Sequence, residues 1–299
     1  MRIWRIILGL AVVGGVGGWF LAAPRPLSET DVAGVTGDAA RGALVFAAAG
    51  CASCHTAPDA QGKAKLVLVG GQRFATAFGT FIAPNISPDP EHGIGGWTLA
   101  QFASAVQRGV SPEGQHYYPA FPYSAYAKAS LQDIADVQAY MATLPPSPIP
   151  SQPHEVGFPF NIRASLGGWK LLFAGKGWVV DGDLSAAEAR GRYIVEALAH
   201  CGECHTPRNP LGGLQRASWL AGAPNPSGQG RIPNITPSAL IWSEEEIVEY
   251  LTSGFTPEYD SAGGHMALVV ENMAKLPESD RQAVAAYLKR VPPVASSTP

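Results

Sequence analysis

Residues 51–55 read CASCH and residues 201–205 read CGECH, so one C-x-x-C-H pattern occurs twice and contains all four cysteines of the 299-residue chain. This pattern is the attachment signature of c-type haem, in which two thiols add to the porphyrin vinyl groups and the adjacent imidazole becomes the proximal iron ligand. A redox pair or half of a zinc site would not explain a histidine directly after the second cysteine in both motifs.

The sequence therefore predicts two covalently bound haem c groups. The predicted attachment residues and proximal ligands are Cys51, Cys54, His55, Cys201, Cys204 and His205.

The two motifs lie in two copies of a longer pattern. PNIS at 84–87 corresponds to PNIT at 233–236, and similar stretches begin at Trp97 and Trp242. Each copy predicts a helix before the motif (38–50 and 185–200), a middle helix (99–108 and 244–252) and a final helix that ends at proline. The predicted fold is therefore all-α, with two tandem cytochrome c domains and an N-terminal transmembrane helix.

That transmembrane helix is predicted from residues 1–27. Arg2 and Arg5 precede eighteen uncharged residues, Ile6 to Ala23, and these would span about 27 Å of a hydrocarbon core that is about 30 Å thick. A cleaved signal peptide is the competing interpretation, but Pro24 would follow the cut. We expect a retained anchor, with the protein in the bacterial inner membrane and its bulk in the periplasm because the arginines precede the apolar run.

The predicted organisation has four parts. They are an anchor at 1–27, a first cytochrome c domain at 28–147, a proline-rich linker and packing segment at 148–184, and a second domain at 185–299. The net charge of −3, without a Lys/Arg run, argues against a nucleic-acid partner.

The residues CHTPRN, PNIT, GWT and YPAFPY, together with the terminal helix, resemble the cytochrome c subunits of membrane-bound bacterial dehydrogenases that oxidise alcohols and sugars. The resemblance implies an electron-transfer protein rather than an enzyme. It implies a dehydrogenase as electron donor, a quinone, terminal oxidase or another cytochrome as acceptor, and contact with the membrane. Two departures are notable, because those subunits generally carry three haem domains and have methionine where this chain has Phe121.

The resemblance also implies Met266 as the distal ligand of the second haem iron. Of the other methionines, Met1 precedes the anchor, Met141 is expected in the core, and Met273 lies on a less constrained face. Coordination by histidine and methionine favours reduced iron and raises the potential.

The first haem has no such methionine, because HYYPAFPY at 116–123 places Phe121 in register with Met266 of SAGGHMAL at 261–268. A phenyl ring cannot coordinate iron. Two main interpretations stay open. Either another side chain is the distal ligand, with His116 in the same loop favoured over His92, His154 and Met141, or the iron is five-coordinate beneath an apolar Phe121. An open iron would allow an alternative function, either a peroxidase-like dihaem enzyme or a gas-binding haem protein.

Overall fold

Each half of the chain begins with a helix that leads directly into a C-x-x-C-H motif. The computed structural model describes residues 17–18, 20–175, 177–226 and 230–296. In the first half, Asp38 caps helix α1 by accepting a hydrogen bond from the Arg41 amide. In the second half, Ser185 does the same for the Glu188 amide in a capping box. Both caps satisfy amides that have no partner within the helix.

From Ala39 onward, the first half contains five α-helices and one hairpin among its described residues. These are α1 (Ala39–Ala48), α2 (Cys51–His55), β1 (Arg73–Thr76), β2 (Gly79–Ile82), α3 (Leu99–Ala103), α4 (Tyr123–Tyr126) and α5 (Leu131–Met141). A 3₁₀ turn lies at Gly62–Leu66, and a π-helical turn at Ser104–Arg108 extends α3.

The second half repeats this order after a helix that joins the two halves. The elements are α6 (Ser165–Phe173), α7 (Ala186–Tyr193), α8 (Gly202–His205), β3 (Ala223–Pro224), β4 (Arg231–Ile232), α9 (Glu244–Ser253), α10 (Gly264–Met273) and α11 (Glu278–Arg290). A π-helical turn at Ile194–Leu198 extends α7, and a 3₁₀ turn lies at Arg216–Ser218. Both hairpins are antiparallel.

The first and last helices of each half cross at a glycine. A Cβ atom on Gly42 of α1 would lie 1.9 Å from the Asp136 carbonyl oxygen of α5. A Cβ atom on Gly191 of α7 would likewise lie 1.9 Å from the Ala283 carbonyl oxygen and 2.6 Å from the Tyr287 Cβ atom of α11. Only glycine allows the two helix backbones to approach so closely.

Buried residues of both halves belong to one hydrophobic cluster, which includes Phe46 and Met141 from the first half and Ile194 and Leu288 from the second. Helix α4 packs against the turn at Ile194–Leu198, and α10 packs against α1 and α2. The helical character is as predicted, but the prediction of two tandem domains is corrected here. Two separate domains are not shown, because the halves share one core. The boundaries at 28–147, 148–184 and 185–299 stay a prediction.

The predicted transmembrane helix also needs correction. A spanning helix requires about 20 apolar residues, whereas α11, the longest α-helix in the described ranges, has 13 residues and is rich in charge. In the part of the chain that the structure describes, no helix is long and apolar enough to cross a membrane. The single N-terminal transmembrane helix is therefore not supported, and neither is the inner-membrane location that was predicted from it. Residues 1–16 and 19 of the proposed anchor lie outside the described residues.

The chain between the halves packs on the first half. Glu155 exchanges two backbone hydrogen bonds with Thr80 of β2, at 2.9 and 3.0 Å. Lys170 of α6 donates from its ammonium group to the carbonyl oxygens of Arg108 and Gly109. This segment therefore packs on β2 and on the chain that leads into the loop of His116, whose ring and carbonyl oxygen it also contacts through Lys170 and Arg163.

The substitution Gly191→Ala tests the helix crossing. We expect it to lower the free energy of unfolding by about 1–3 kcal/mol, because the added methyl group forces α7 and α11 apart. Denaturant unfolding of the haem-loaded protein, followed by circular dichroism, would measure the change. Gly168→Ala in α6 is the matched control, since no atom lies within 4 Å of its Cβ position. Equal effects of the two substitutions would contradict the role of the crossing.

Candidate functional site

Each motif folds as a short helix that brings its cysteines and histidine together. Cys51 and His55 are the first and last residues of α2 and therefore lie on one helix face. All four cysteines are free thiols. Burial raises the pKa of Cys51 and of Cys201 to about 12, so both thiols are protonated at neutral pH.

The two motif histidines make the same hydrogen bond. His55 Nδ1 lies 2.9 Å from the Pro84 carbonyl oxygen, and His205 Nδ1 lies 2.8 Å from that of Pro233. A carbonyl can only accept, so Nδ1 carries the proton and Nε2 keeps its lone pair. Burial lowers the pKa of both imidazoles, and the bond to the carbonyl opposes that shift in part. The neutral form with a free Nε2 is the one that ligates a metal.

The asparagine of PNIS and PNIT fixes the chain that follows the last helix of each half. The Asn85 amide nitrogen donates to the carbonyl oxygens of Ser147 and Ile149, each at 2.8 Å. The Asn234 amide nitrogen donates to the Val294 carbonyl oxygen at 2.8 Å. The sequence showed this motif as a repeat without assigning it a role. In the structure, proline orients the histidine while asparagine secures the neighbouring chain.

These residues fit covalent haem c. Each half offers two free thiols and one imidazole whose tautomer is set by a carbonyl. Among the described residues, no three histidine, cysteine or acidic side chains are grouped as a bare metal ion would need. Haem attachment at Cys51, Cys54, Cys201 and Cys204 is chemically consistent with this arrangement.

The proposed distal methionine lies in the first turn of α10. Met266 is half-buried and packs against the shared core, whereas Met273, at the other end of α10, is almost fully buried. This placement leaves Met273 with a packing role, and Met266 as an iron ligand stays a prediction.

The corresponding loop of the first half holds Phe121 among aromatic rings. Its ring centroid lies 6.0 Å from that of Tyr117 and 5.9 Å from that of Tyr126. His116 is buried in the same loop, with Nε2 2.9 Å from the Ala22 carbonyl oxygen and Nδ1 3.0 Å from Lys170 Nζ. His116 as an iron ligand also stays a prediction.

The two motifs lie beside each other, a feature that sequence reasoning missed. The Tyr126 hydroxyl donates to the Ala49 carbonyl oxygen at 3.0 Å, just before the first motif. The Tyr126 ring also packs edge-on against His200, just before the second motif, with 5.5 Å between ring centroids. Through these two contacts, one side chain touches the residues before both motifs.

A further contact between the halves involves the first motif itself. The Asn272 amide nitrogen of α10 donates to Ser53 Oγ of the first motif at 2.9 Å. His200 has a φ angle of +43°, and Gly50 at the same position of the first half has +62°. In the sequence, the presence of histidine at position 200, where the first half has Gly50, was a local signal of the contact with Tyr126.

A family model described as Cytochrome c matches residues 39–145. A protein described as a dihaem cytochrome c-type, from Cereibacter sphaeroides, is 59% identical over 287 residues, which cover 96% of this chain and 97% of that protein. The chain belongs to the dihaem c-type cytochromes. Membership implies electron transfer through covalent haem c.

Cytochrome subunits of dehydrogenases are also similar to this dihaem cytochrome. The fructose dehydrogenase cytochrome subunit of Gluconobacter japonicus is 38% identical over 280 residues, or 91% of this chain. The cytochrome c subunit of alcohol dehydrogenase (quinone) from Gluconobacter oxydans is 35% identical over 268 residues, or 85% of this chain. The chain spans only 56% and 55% of these two relatives. The resemblance to dehydrogenase cytochrome subunits is confirmed.

Tyr126→Phe tests the contact between the halves. We expect the free energy of unfolding to fall by about 1 kcal/mol, because the Ala49 carbonyl loses a donor while the ring remains. Tyr259→Phe is the matched control, since Tyr259 is 94% exposed and should change stability by less than about 0.5 kcal/mol. Denaturant titrations of both variants would measure the difference. An unchanged midpoint for Tyr126→Phe would count against a stabilising hydrogen bond.

Proposed function

We propose that this chain is a dihaem electron-transfer protein that accepts electrons from a dehydrogenase and passes them to a quinone, a terminal oxidase or another cytochrome. The observation that carries the proposal is the repeated hydrogen bond from the motif histidine to a prolyl carbonyl, 2.9 Å in the first half and 2.8 Å in the second. Both halves thereby hold an imidazole in the form that binds iron.

The proposed haem-binding residues follow from the two motifs. Cys51 and Cys54 would attach the first haem, with His55 as its proximal ligand. Cys201 and Cys204 would attach the second, with His205 as proximal and Met266 as distal ligand. Haem c supplies a reversible one-electron couple when bound, while the protein sets its potential and its orientation.

Electron exchange within the chain is supported by the position of the two motifs. Tyr126 contacts residues directly before both motifs, and Asn272 links the second half to Ser53 of the first motif. Groups attached at adjacent motifs would be held at a fixed separation by the shared core. Exchange between them would then need no diffusion step.

The proposal of a dehydrogenase partner rests on the similar proteins. Two of them are cytochrome subunits of enzymes that act on fructose and on alcohol. Those relatives are longer than this chain, so the identity of the dehydrogenase and of its substrate is open to experiment. In this proposal the chain carries electrons and performs no substrate chemistry of its own.

The haem count tests the proposal most directly. Intact-mass measurement of protein matured in a host that attaches haem c should show two added haem groups under denaturing conditions. The double substitution Cys201→Ala/Cys204→Ala should retain one haem, and Cys51→Ala/Cys54→Ala should retain the other. Wild-type protein with fewer than two haems would overturn the proposal.

Redox titration tests Met266. Met266→His should lower the midpoint potential of one haem by a substantial part of the roughly 0.8 V that axial ligands span, because methionine favours the reduced iron. Met273→Leu, at the other end of α10, should leave both potentials nearly unchanged. If Met266→His shifts neither potential, Met266 is not the ligand.

A further inference from the structure

The first half offers few side chains that could complete the coordination of an iron. Phe121 stands in register with Met266 and has no atom that can coordinate. The candidates in the described residues are the histidines and methionines of the first half and of the segment that packs on it. They are His92, His116, Met141 and His154.

Tyrosine can also bind haem iron as the phenolate, but burial raises the pKa of Tyr117 to about 12 and that of Tyr123 further still, which disfavours that form beside Phe121. Two histidines of the second half contact the first half, and their rings pack on aromatic side chains, His200 on Tyr126 and His265 on Phe74.

Both ring nitrogens of His116 are already engaged. Its Nε2 lies 2.9 Å from the Ala22 carbonyl oxygen, which can only accept, so Nε2 carries the proton. Its Nδ1 lies 3.0 Å from the Lys170 ammonium group, which can only donate, so that lone pair is also used. His116 is 5% exposed, and no lone pair is left on its ring for a metal.

The backbone around His116 is fixed as well. Arg163 donates from its guanidinium group to the His116 carbonyl oxygen at 3.0 Å. Lys170 donates to the carbonyl oxygens of Arg108 and Gly109 at 2.8 and 2.7 Å, in addition to contacting the imidazole. Turning His116 toward an iron would leave the partly buried Lys170 ammonium and Ala22 carbonyl with fewer partners, which is costly.

The three other candidates are held in different ways. His154 accepts a hydrogen bond from the Ile82 amide at 3.1 Å and packs against Phe81 and Tyr118. Met141 is 3% exposed in the shared core. His92 lies in an outer turn, with Nε2 3.9 Å from a Glu91 carboxylate oxygen.

The Phe121 ring is connected to the chain before the first motif through Tyr126. It packs against Tyr117, Tyr123 and Tyr126, with centroid separations of 6.0, 6.5 and 5.9 Å. The Tyr126 hydroxyl binds the Ala49 carbonyl oxygen, two residues before Cys51. The loop therefore presents aromatic carbon near the first motif, in the register where the second half presents a thioether.

We infer that the first haem iron has no protein ligand opposite His55, and that this open position beside Phe121 binds small neutral diatomic molecules. The inference rests on the proposed function, since it requires a haem at both motifs. The second haem, with Met266 available, is closed to such ligands. A bound diatomic molecule would change the potential of the first haem, so electron transfer through the chain would respond to it.

Carbon monoxide and electron paramagnetic resonance test the inference on the haem-loaded, full-length chain. We expect the oxidised wild-type protein to show one high-spin and one low-spin haem. After chemical reduction, carbon monoxide should shift the absorption of about half of the total haem, as expected for one open iron. Two low-spin haems and no response to carbon monoxide would overturn the inference.

Exchanging the two loop residues provides matched variants. Phe121→Met should supply a sixth ligand, remove the high-spin signal and abolish carbon monoxide binding. Met266→Phe should have the opposite effect, with a second high-spin haem and a second carbon monoxide equivalent. Phe121→Leu should keep the wild-type spectrum, because leucine cannot coordinate either.

A further variant separates this inference from ligation by His116. His116→Gln should leave the spin state of the first haem unchanged, whereas a ligand role predicts loss of one low-spin signal. Haem content, measured on the same samples by mass, distinguishes the two possible failures. Fewer than two haems in the wild type refutes the proposed function, while two haems that are both closed refute only this inference.

Discussion

The hydrogen bond between the motif histidine and a prolyl carbonyl is the constraint on which the rest of the structure depends. A rotating imidazole could present either nitrogen, but the bonds from His55 to Pro84 and from His205 to Pro233 leave only Nε2 free. The carbonyl must itself be held in place. Asn85, the residue after Pro84, joins this segment by hydrogen bonds to the chain beyond the last helix of the first half. The orientation of the motif histidine is therefore coupled to the packing of the chain that follows the last helix.

The first and last helices cross in the same way in both halves, but different side chains pack beside the crossing. In the first half, Phe46 packs edge-on against Tyr140, with centroids 5.1 Å apart. At the corresponding place in the second half, the buried Glu196 carboxylate accepts from the Tyr287 hydroxyl and from the amides of residues 179–180. A buried carboxylate is tolerated only when its oxygens are satisfied. Glu196, in place of Phe46, thus holds the linker against the second half by hydrogen bonds, which an aromatic ring could not accept in this way.

Local features were predictable from the sequence, while contacts between distant residues were not. The middle helices predicted to start at 99 and 244 do start there, because Thr98 and Ser243 cap them and a capping residue acts within one turn. The engagement of His116 depends on partners 94 and 54 residues away, and no local pattern carries that information. The same holds for Tyr126 and His200, whose contact exists only because the halves share a core. Hydropathy alone also favoured a membrane helix that the described residues do not provide.

The packing of the halves is reciprocal. Phe121 directly precedes a helix that packs against the other half, and Met266 lies in the first turn of such a helix. The helix after Phe121 contacts residues 194–198, just before the second motif, while the helix that contains Met266 also carries Asn272, which binds Ser53 of the first motif. Each half thereby contributes a contact beside the motif of the other half, and the buried residues of both halves form one cluster. A duplicated pattern has in this way become one packed unit, in which Phe121 and Met266 occupy corresponding positions of the two copies.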